Sequence, residues 1–175
     1  MLRAALALIL MCGELANGQV PASEQAKRSS FTMSITLKQS RVDPSSEVMI
    51  DVGLINVSSK EIEILRVGSG PPQYAFKVFD RDGKAAPLTA AGEAMVSGKM
   101  CWKGRNGEMR CLAGGSSISR SGVAPGGKLH DVFGLSYYVD LSQPNQYTVR
   151  LERPDPYTKL LVESNTLTLT VAKQQ

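Results

Sequence analysis

Residues 31 to 38 read FTMSITLK. Apolar side chains occupy every second position of this stretch, at Phe31, Met33, Ile35 and Leu37, with polar side chains between them. Successive side chains of a β-strand point to opposite faces, so this alternation predicts a strand with one buried and one solvent-facing side. The same period recurs at residues 48–54, 62–64, 74–78, 129–139, 147–151 and 167–171, and a short apolar stretch covers 160–162. No helical period follows residue 18, so we predict an all-β fold of seven to eight strands.

Four short motifs accompany these strands: LINVSSKEIEI at 54–64, DRDGK at 80–84, APGGKL at 124–129 and QPNQYTVRL at 143–151. In the last motif Tyr147 opens a strand just after a Pro-Asn turn, where a tyrosine corner places a tyrosine hydroxyl on upstream backbone. With these motifs the chain resembles the bacterial immunoglobulin-like domains that are grouped with the intracellular proteinase inhibitors. The resemblance implies an immunoglobulin-like antiparallel β-sandwich with Tyr147 in a structural role, and it suggests proteinase inhibition.

The first residues, MLRAALALILMCGELANG, place Arg3 before an apolar run, with Ala16 and Gly18 at the positions that precede a cleavage site. This pattern predicts a secretory signal peptide over residues 1–18. The apolar run is too short for the roughly 20 residues that a membrane-spanning helix requires. We therefore expect export to the periplasm or the cell exterior, with no transmembrane span in the mature chain. Residues 19–30 are polar and predict a flexible leader, and residues 31–175 predict a single domain.

Residues 89–127 hold nine of the sixteen glycines and predict one long loop insertion. Inside it, residues 100–111 read MCWKGRNGEMRC. If Arg105, Asn106 and Gly107 form a three-residue hairpin loop, Cys101 and Cys111 lie opposite each other. Zinc would need further thiol or imidazole ligands, and a redox pair normally has Cys-X-X-Cys spacing. We therefore predict a structural disulfide, as exported proteins often contain, and neither a metal nor a cofactor.

Basic residues surround the single tryptophan, Trp102, at Lys103, Arg105 and Arg110. Tryptophan beside arginine is typical of binding hot spots, so these four residues are the predicted contact surface for a protein or glycan partner. The alternative is that Trp102 folds inward and caps one end of the domain. The net charge of +4 is spread along the chain without an arginine-rich or base-stacking motif, so nucleic acid is not an expected partner.

Residues suited to catalysis are few. His130 is the only histidine, and its parity in the strand directs it away from the core face. Asp80 and Asp82 lie in a predicted turn, where aspartate bonds to local backbone. We therefore expect a non-enzymatic exported binding or interaction module, with a proteinase inhibitor or a structural envelope accessory domain as alternatives.

Overall fold

The structure is a computed structural model that describes residues 28–67, 73–99, 101–104, 106–111 and 118–173. The strands in this part of the chain are β1 (Phe31–Leu37), β2 (Arg41–Val42), β3 (Met49–Asn56), β4 (Ile62–Val67), β5 (Ala75–Asp80), β6 (Cys101–Lys103), β7 (Met109–Cys111), β8 (Ile118–Val123), β9 (Lys128–Gly134), β10 (Asn145–Pro154), β11 (Leu161–Glu163) and β12 (Leu167–Val171). One helix, α1, covers Ala90–Val96, and a 3₁₀ turn covers Leu135–Tyr137.

The all-β prediction is confirmed at the level of class, because strands dominate the described residues. The predicted count of seven to eight strands is not confirmed, since the described residues form twelve. Four of these strands, β2, β6, β7 and β11, have only two or three residues. Strands that short cannot display a clear period of two, which explains why the alternation did not reveal them.

The first sheet has three antiparallel strands in the order β1, β3 and β9. Phe31 pairs with Asn56 at one end of the β1–β3 ladder and Leu37 pairs with Ile50 at the other. The alternation predicted for residues 31–37 is confirmed, because Phe31, Met33 and Ile35 are buried while the residues between them are exposed.

The second sheet is organised around β10. This long strand pairs antiparallel with β5 along residues 147–152, with β12 along 145–149 and with β11 along 152–154. Strand β12 in turn pairs parallel with the short β2. The Tyr147 hydroxyl donates a hydrogen bond of 3.1 Å to the backbone oxygen of Gln143, four residues upstream, as predicted.

One hydrophobic cluster joins the buried faces of both sheets. From the first sheet it includes Phe31, Ile50 and Val52, and from the second Val149 and Leu151, all fully buried. Each fully buried aliphatic or aromatic side chain of this size contributes about 1.5–3 kcal/mol relative to exposure. The period of two in the sequence therefore reflects packing of the two sheets over a common core.

Strands β4 and β8 form a separate two-stranded ribbon, and Asn56 connects it to the first sheet. Asn56 is 1% exposed at the end of β3. Its amide nitrogen donates to the backbone oxygens of Lys60 at 2.8 Å and Val123 at 2.7 Å. Its amide oxygen accepts from the backbone N–H of Ser58 at 2.9 Å. One side chain thus fixes the turn before β4 and the end of β8.

The described part of segment 89–127 contains more secondary structure than predicted. It contains α1, the hairpin of β6 and β7, and β8, so the prediction that no helix follows the signal peptide is wrong. Helix α1 begins where the Thr89 hydroxyl accepts a hydrogen bond of 3.1 Å from the Gly92 N–H. Gly92 lets the helix lie close to the backbone of Tyr138, because a β-carbon at position 92 would be 2.0 Å from the Tyr138 backbone oxygen.

The predicted signal peptide and most of the predicted leader, residues 1–27, lie outside the described residues. Ser30, the last residue of the predicted leader, is 5% exposed, and its backbone N–H donates to the carboxylate of Asp155. Within the described ranges, no helix has the length and apolar composition needed to cross a membrane.

Candidate functional site

The hairpin of β6 and β7 has the predicted register, with Cys101 opposite Cys111 and Lys103 opposite Met109. A disulfide joins the two cysteines. Gly107 has the positive φ of 81° that the three-residue loop requires. The Gly104 N–H donates to the backbone oxygen of Glu108 at 2.8 Å, which closes the loop. The disulfide and its joint turn prediction are therefore confirmed.

Trp102 lies half-buried on this hairpin. Its ring meets the ring of Tyr137 edge-on, with centroids 6.2 Å apart and planes at 81°. Tyr137 belongs to the 3₁₀ turn and contacts the buried Tyr138 ring at 5.0 Å, also edge-on. Trp102 is therefore held against the body of the domain through Tyr137, outside the main hydrophobic cluster. The structure matches neither a fully exposed indole nor an inward cap.

An open groove of about 560 Å³ runs between the hairpin and the body of the domain. We call this groove the Trp102 groove. Its hairpin side is formed by Trp102, Gly104, Asn106, Glu108 and Arg110. The opposite side comes from the start of α1 and from the 3₁₀ turn, and is formed by Leu88, Thr89, Ala90, Ala91, Ser136, Tyr137 and Asp140. The groove thus combines two aromatic rings with hydrogen-bonding side chains, some of them acidic and one of them basic.

The hairpin is less basic than its sequence suggests, because Arg110 is paired. Its Nε lies 2.7 Å from Oε1 of Glu108. Hydrogen bonding to the backbone N–H of Glu108 itself, with help from the Arg110 guanidinium and the Asn106 N–H, holds the pKa of the Glu108 carboxyl below its usual range. Lys103 is exposed and does not line the groove, and the Arg105 position lies outside the described residues. Of the predicted contact residues, the structure brings Trp102 and Arg110 together in one groove.

The titratable residues weighed for catalysis lie elsewhere. His130 is on the exposed side of β9, with Nδ1 3.4 Å from Oδ1 of Asp51. Asp80 Oδ1 accepts from the backbone N–H of Asp82 at 3.0 Å and of Lys84 at 2.9 Å, which is the local turn bonding predicted for it. The described ranges contain no group of three or more histidine, cysteine or acidic side chains arranged to hold a metal ion.

A polar network that sequence reasoning missed lies between β4, β9 and β10. The Tyr74 hydroxyl donates to Oδ2 of Asp131 at 2.6 Å, and Arg66 contacts Oδ1 of Asp131 at 2.8 Å. Burial, together with the Asp131 bond, raises the pKa of Tyr74. Arg153 is 5% exposed, with Cζ 5.2 Å from the Tyr74 ring centroid. The signal was present in β10, where Arg153 continues the inward parity of Val149 and its neighbours.

Comparison with known proteins adds little to this geometry. No protein-family model matches the chain, and no curated protein matches it. Among solved structures, it is similar to part of a β-glucosidase from Erythrobacter marinus, with 15% sequence identity and a TM-score of 0.41. The similarity covers 81% of this chain and 16% of the glucosidase chain. A similarity of this size supports no conclusion about activity.

Proposed function

We propose that this chain is an exported, non-enzymatic binding module with an immunoglobulin-like β-sandwich, and that it holds a segment of a protein partner in the Trp102 groove. The sandwich assignment is supported by two sheets over one core and by the Tyr147 bond to upstream backbone. Export is supported by the predicted signal peptide and by a disulfide, a bond that persists in oxidising compartments.

The observation that carries the proposal is the position of Trp102. The disulfide fixes the hairpin, and the edge-on contact with Tyr137 fixes the ring while leaving part of it open to the groove. A side chain that is already immobilised loses little entropy when a partner covers it. Tyr137 adds a second aromatic surface, since 47% of it is exposed. Two aromatic rings held in place beside an arginine match the composition of a hot spot.

A polypeptide fits the groove better than a sugar does. The two rings meet at 81°, so they do not form one flat platform on which a sugar ring could stack. Glu108 and Arg110 instead offer an acceptor and a donor side by side. A peptide main chain presents N–H and C=O groups in alternation, which complements such a pair. We therefore assign a short extended or looped segment of a protein as the occupant.

The test compares Trp102→Ala with Met109→Ala in a binding experiment. Met109 lies on the same hairpin and is 63% exposed, but it does not line the groove, so it controls for general changes to the hairpin. A photoreactive cross-linker at Tyr137 in the full chain, placed in the native host, identifies the partner. Isothermal titration with the purified partner should then show a loss of about 30-fold or more for Trp102→Ala and little change for Met109→Ala.

Equal affinities of wild type and Trp102→Ala, with both folded by circular dichroism, would remove the Trp102 groove from the binding surface. A Trp102-dependent signal on a glycan array, without any cross-linked protein, would assign the groove to glycans and contradict the peptide proposal. Export is tested by the intact mass of the protein purified from the host's export compartment, because the mature chain should begin at Gln19.

A further inference from the structure

A second pocket lies between β4, β8 and the end of β10, and it shares no lining residue with the Trp102 groove. Its volume is about 430 Å³, and much of its wall is apolar, formed by Ile64, Leu65, Pro154, Pro156 and the ring of Tyr157. We propose that this pocket binds a ligand that carries a carboxylate next to an apolar group, and that Arg153 is the residue that holds the carboxylate.

Arg153 is a buried cation without a carboxylate partner in the described residues. It is 5% exposed, its Nη2 donates to the backbone oxygen of Leu65 at 2.9 Å, and its guanidinium lies over the Tyr74 ring. None of the ion pairs in the described ranges includes it. The stretches 68–72 and 112–117, which adjoin β4 and β8 in the chain, contain no acidic residue.

The neighbouring charges are already matched. Asp131 accepts from Arg66 and from the Tyr74 hydroxyl. Glu63 lies 3.4 Å from Arg120 on the pocket rim. Asp131 and Glu63 are thus each paired with another arginine, and neither forms an ion pair with Arg153. Buried charges in proteins are normally paired, because desolvation of a lone ion is costly. An anion entering the pocket would supply the missing partner.

The walls define the rest of the ligand. A guanidinium presents a planar fork of N–H donors that suits the two oxygens of a carboxylate. The apolar residues of the wall favour a hydrocarbon group beside that carboxylate. The wall is held in shape by Tyr157, whose hydroxyl accepts from the Glu63 N–H at 2.6 Å. A volume of this size lies within the range of about 300–1,000 Å³ typical of small-ligand sites. Both the C-terminus of a peptide and a free carboxylic acid carry this chemistry.

The probes are N-acetyl-L-leucine, which imitates a peptide C-terminus, and hexanoate, which imitates a free carboxylic acid. N-acetyl-L-leucinamide has the same shape as the first probe without the charge. Titration calorimetry on the full chain should show saturable binding of at least one of the two carboxylates and at least about tenfold weaker binding of the amide. The stronger of the two carboxylates identifies the source of the ligand.

The variant Arg153→Met removes the charge and keeps an unbranched apolar stem, and it should weaken carboxylate binding by at least about tenfold. Arg150→Met is the matched control, because Arg150 lies on the same strand but pairs with Glu152 and Glu163 and does not line the pocket. The Arg150→Met variant should bind the carboxylate with the same affinity as wild type. Nuclear magnetic resonance of the wild-type chain gives a readout that needs no variant, since the amide signals of Ile64, Leu65 and Arg120 should shift with the carboxylate and not with the amide.

Four results would overturn the proposal. The first is the absence of binding for both carboxylates up to about 10 mM. The second is equal affinity for N-acetyl-L-leucine and its amide. The third is undiminished binding by a folded Arg153→Met variant. The fourth is that the resonance shifts are confined to the Trp102 groove. The calorimetric results do not bear on the peptide partner proposed for the Trp102 groove, because that groove is tested with a different ligand and different residues.

Discussion

Replacing both hairpin cysteines, by Cys101→Ser and Cys111→Ser, should let the hairpin open while the two main sheets stay folded. The disulfide closes a loop with a sequence separation of 10, for which the chain-entropy relation gives about 2.7 kcal/mol. The remaining support is small. Strands of three residues form a marginal hairpin in isolation, and the edge-on pair of Trp102 and Tyr137 adds about 0.5–1.5 kcal/mol. The open population of the hairpin should therefore rise about a hundredfold.

The chain contains its own reporter for this opening. Trp102 is the only tryptophan, so indole fluorescence follows the hairpin, whereas far-ultraviolet circular dichroism follows the sheets. In wild type the two signals should change together during urea unfolding. In the serine variant the fluorescence transition should move to lower urea and precede the dichroism transition, and reduced wild type should behave in the same way. Coincident transitions in the serine variant, at the wild-type midpoint, would show that the disulfide does not hold the hairpin closed.

Three further changes probe the body of the domain. Tyr147→Phe removes the bond to the Gln143 oxygen and should lower the free energy of unfolding by about 0.5–1.5 kcal/mol, measured by urea titration; no change would deny the bond a stabilising role. Gly92→Ala should cost about 1–3 kcal/mol, because its β-carbon would collide with the Tyr138 oxygen; an unchanged melting temperature would contradict this close approach. Burial alone would raise the pKa of Asp155, but hydrogen bonds from backbone N–H groups lower this pKa below its usual range. The ionised carboxylate therefore stabilises the fold fully above about pH 4, and this stability is lost as the pH falls further. Asp155→Asn should flatten that loss in a series of urea midpoints against pH, and an equally steep decline would assign it to other carboxyl groups.

The sequence was most informative where one physical rule controlled the outcome. The period of two in β1 and β3 follows directly from burial of one face, so Phe31 and Ile50 could be placed in the core from sequence alone. The register of the hairpin followed from two cysteines and one glycine, because only one loop length sets Cys101 opposite Cys111. Local geometry was sufficient to predict these elements. The parity of the strand likewise predicted that His130 is exposed.

The elements that could not be predicted depend on contacts between distant parts of the chain. Helix α1 is short, and its apolar spacing is weak; it is stabilised by the Thr89 cap and by the approach of Gly92 to the segment around Tyr138. Strand β8 has little apolar alternation and forms because β4 pairs with it. The half-buried position of Trp102 depends on Tyr137, 35 positions later in the chain, where a 3₁₀ turn interrupts an alternation that predicted a continuous strand.

Asn56 shows that shape and polarity are separate requirements at a buried position. An aspartate has nearly the outline of an asparagine, yet Asn56→Asp would replace the nitrogen that donates to the Lys60 and Val123 oxygens by an oxygen. Three acceptors would then face one another without a proton between them, whereas Asn56→Ala would leave the two carbonyls and the Ser58 N–H without this partner. Spontaneous deamidation of this one residue would consequently disturb the junction of the first sheet with the β4–β8 ribbon more than deletion of its side chain. The junction therefore depends on the N–H groups of the Asn56 amide and on the direction in which they point.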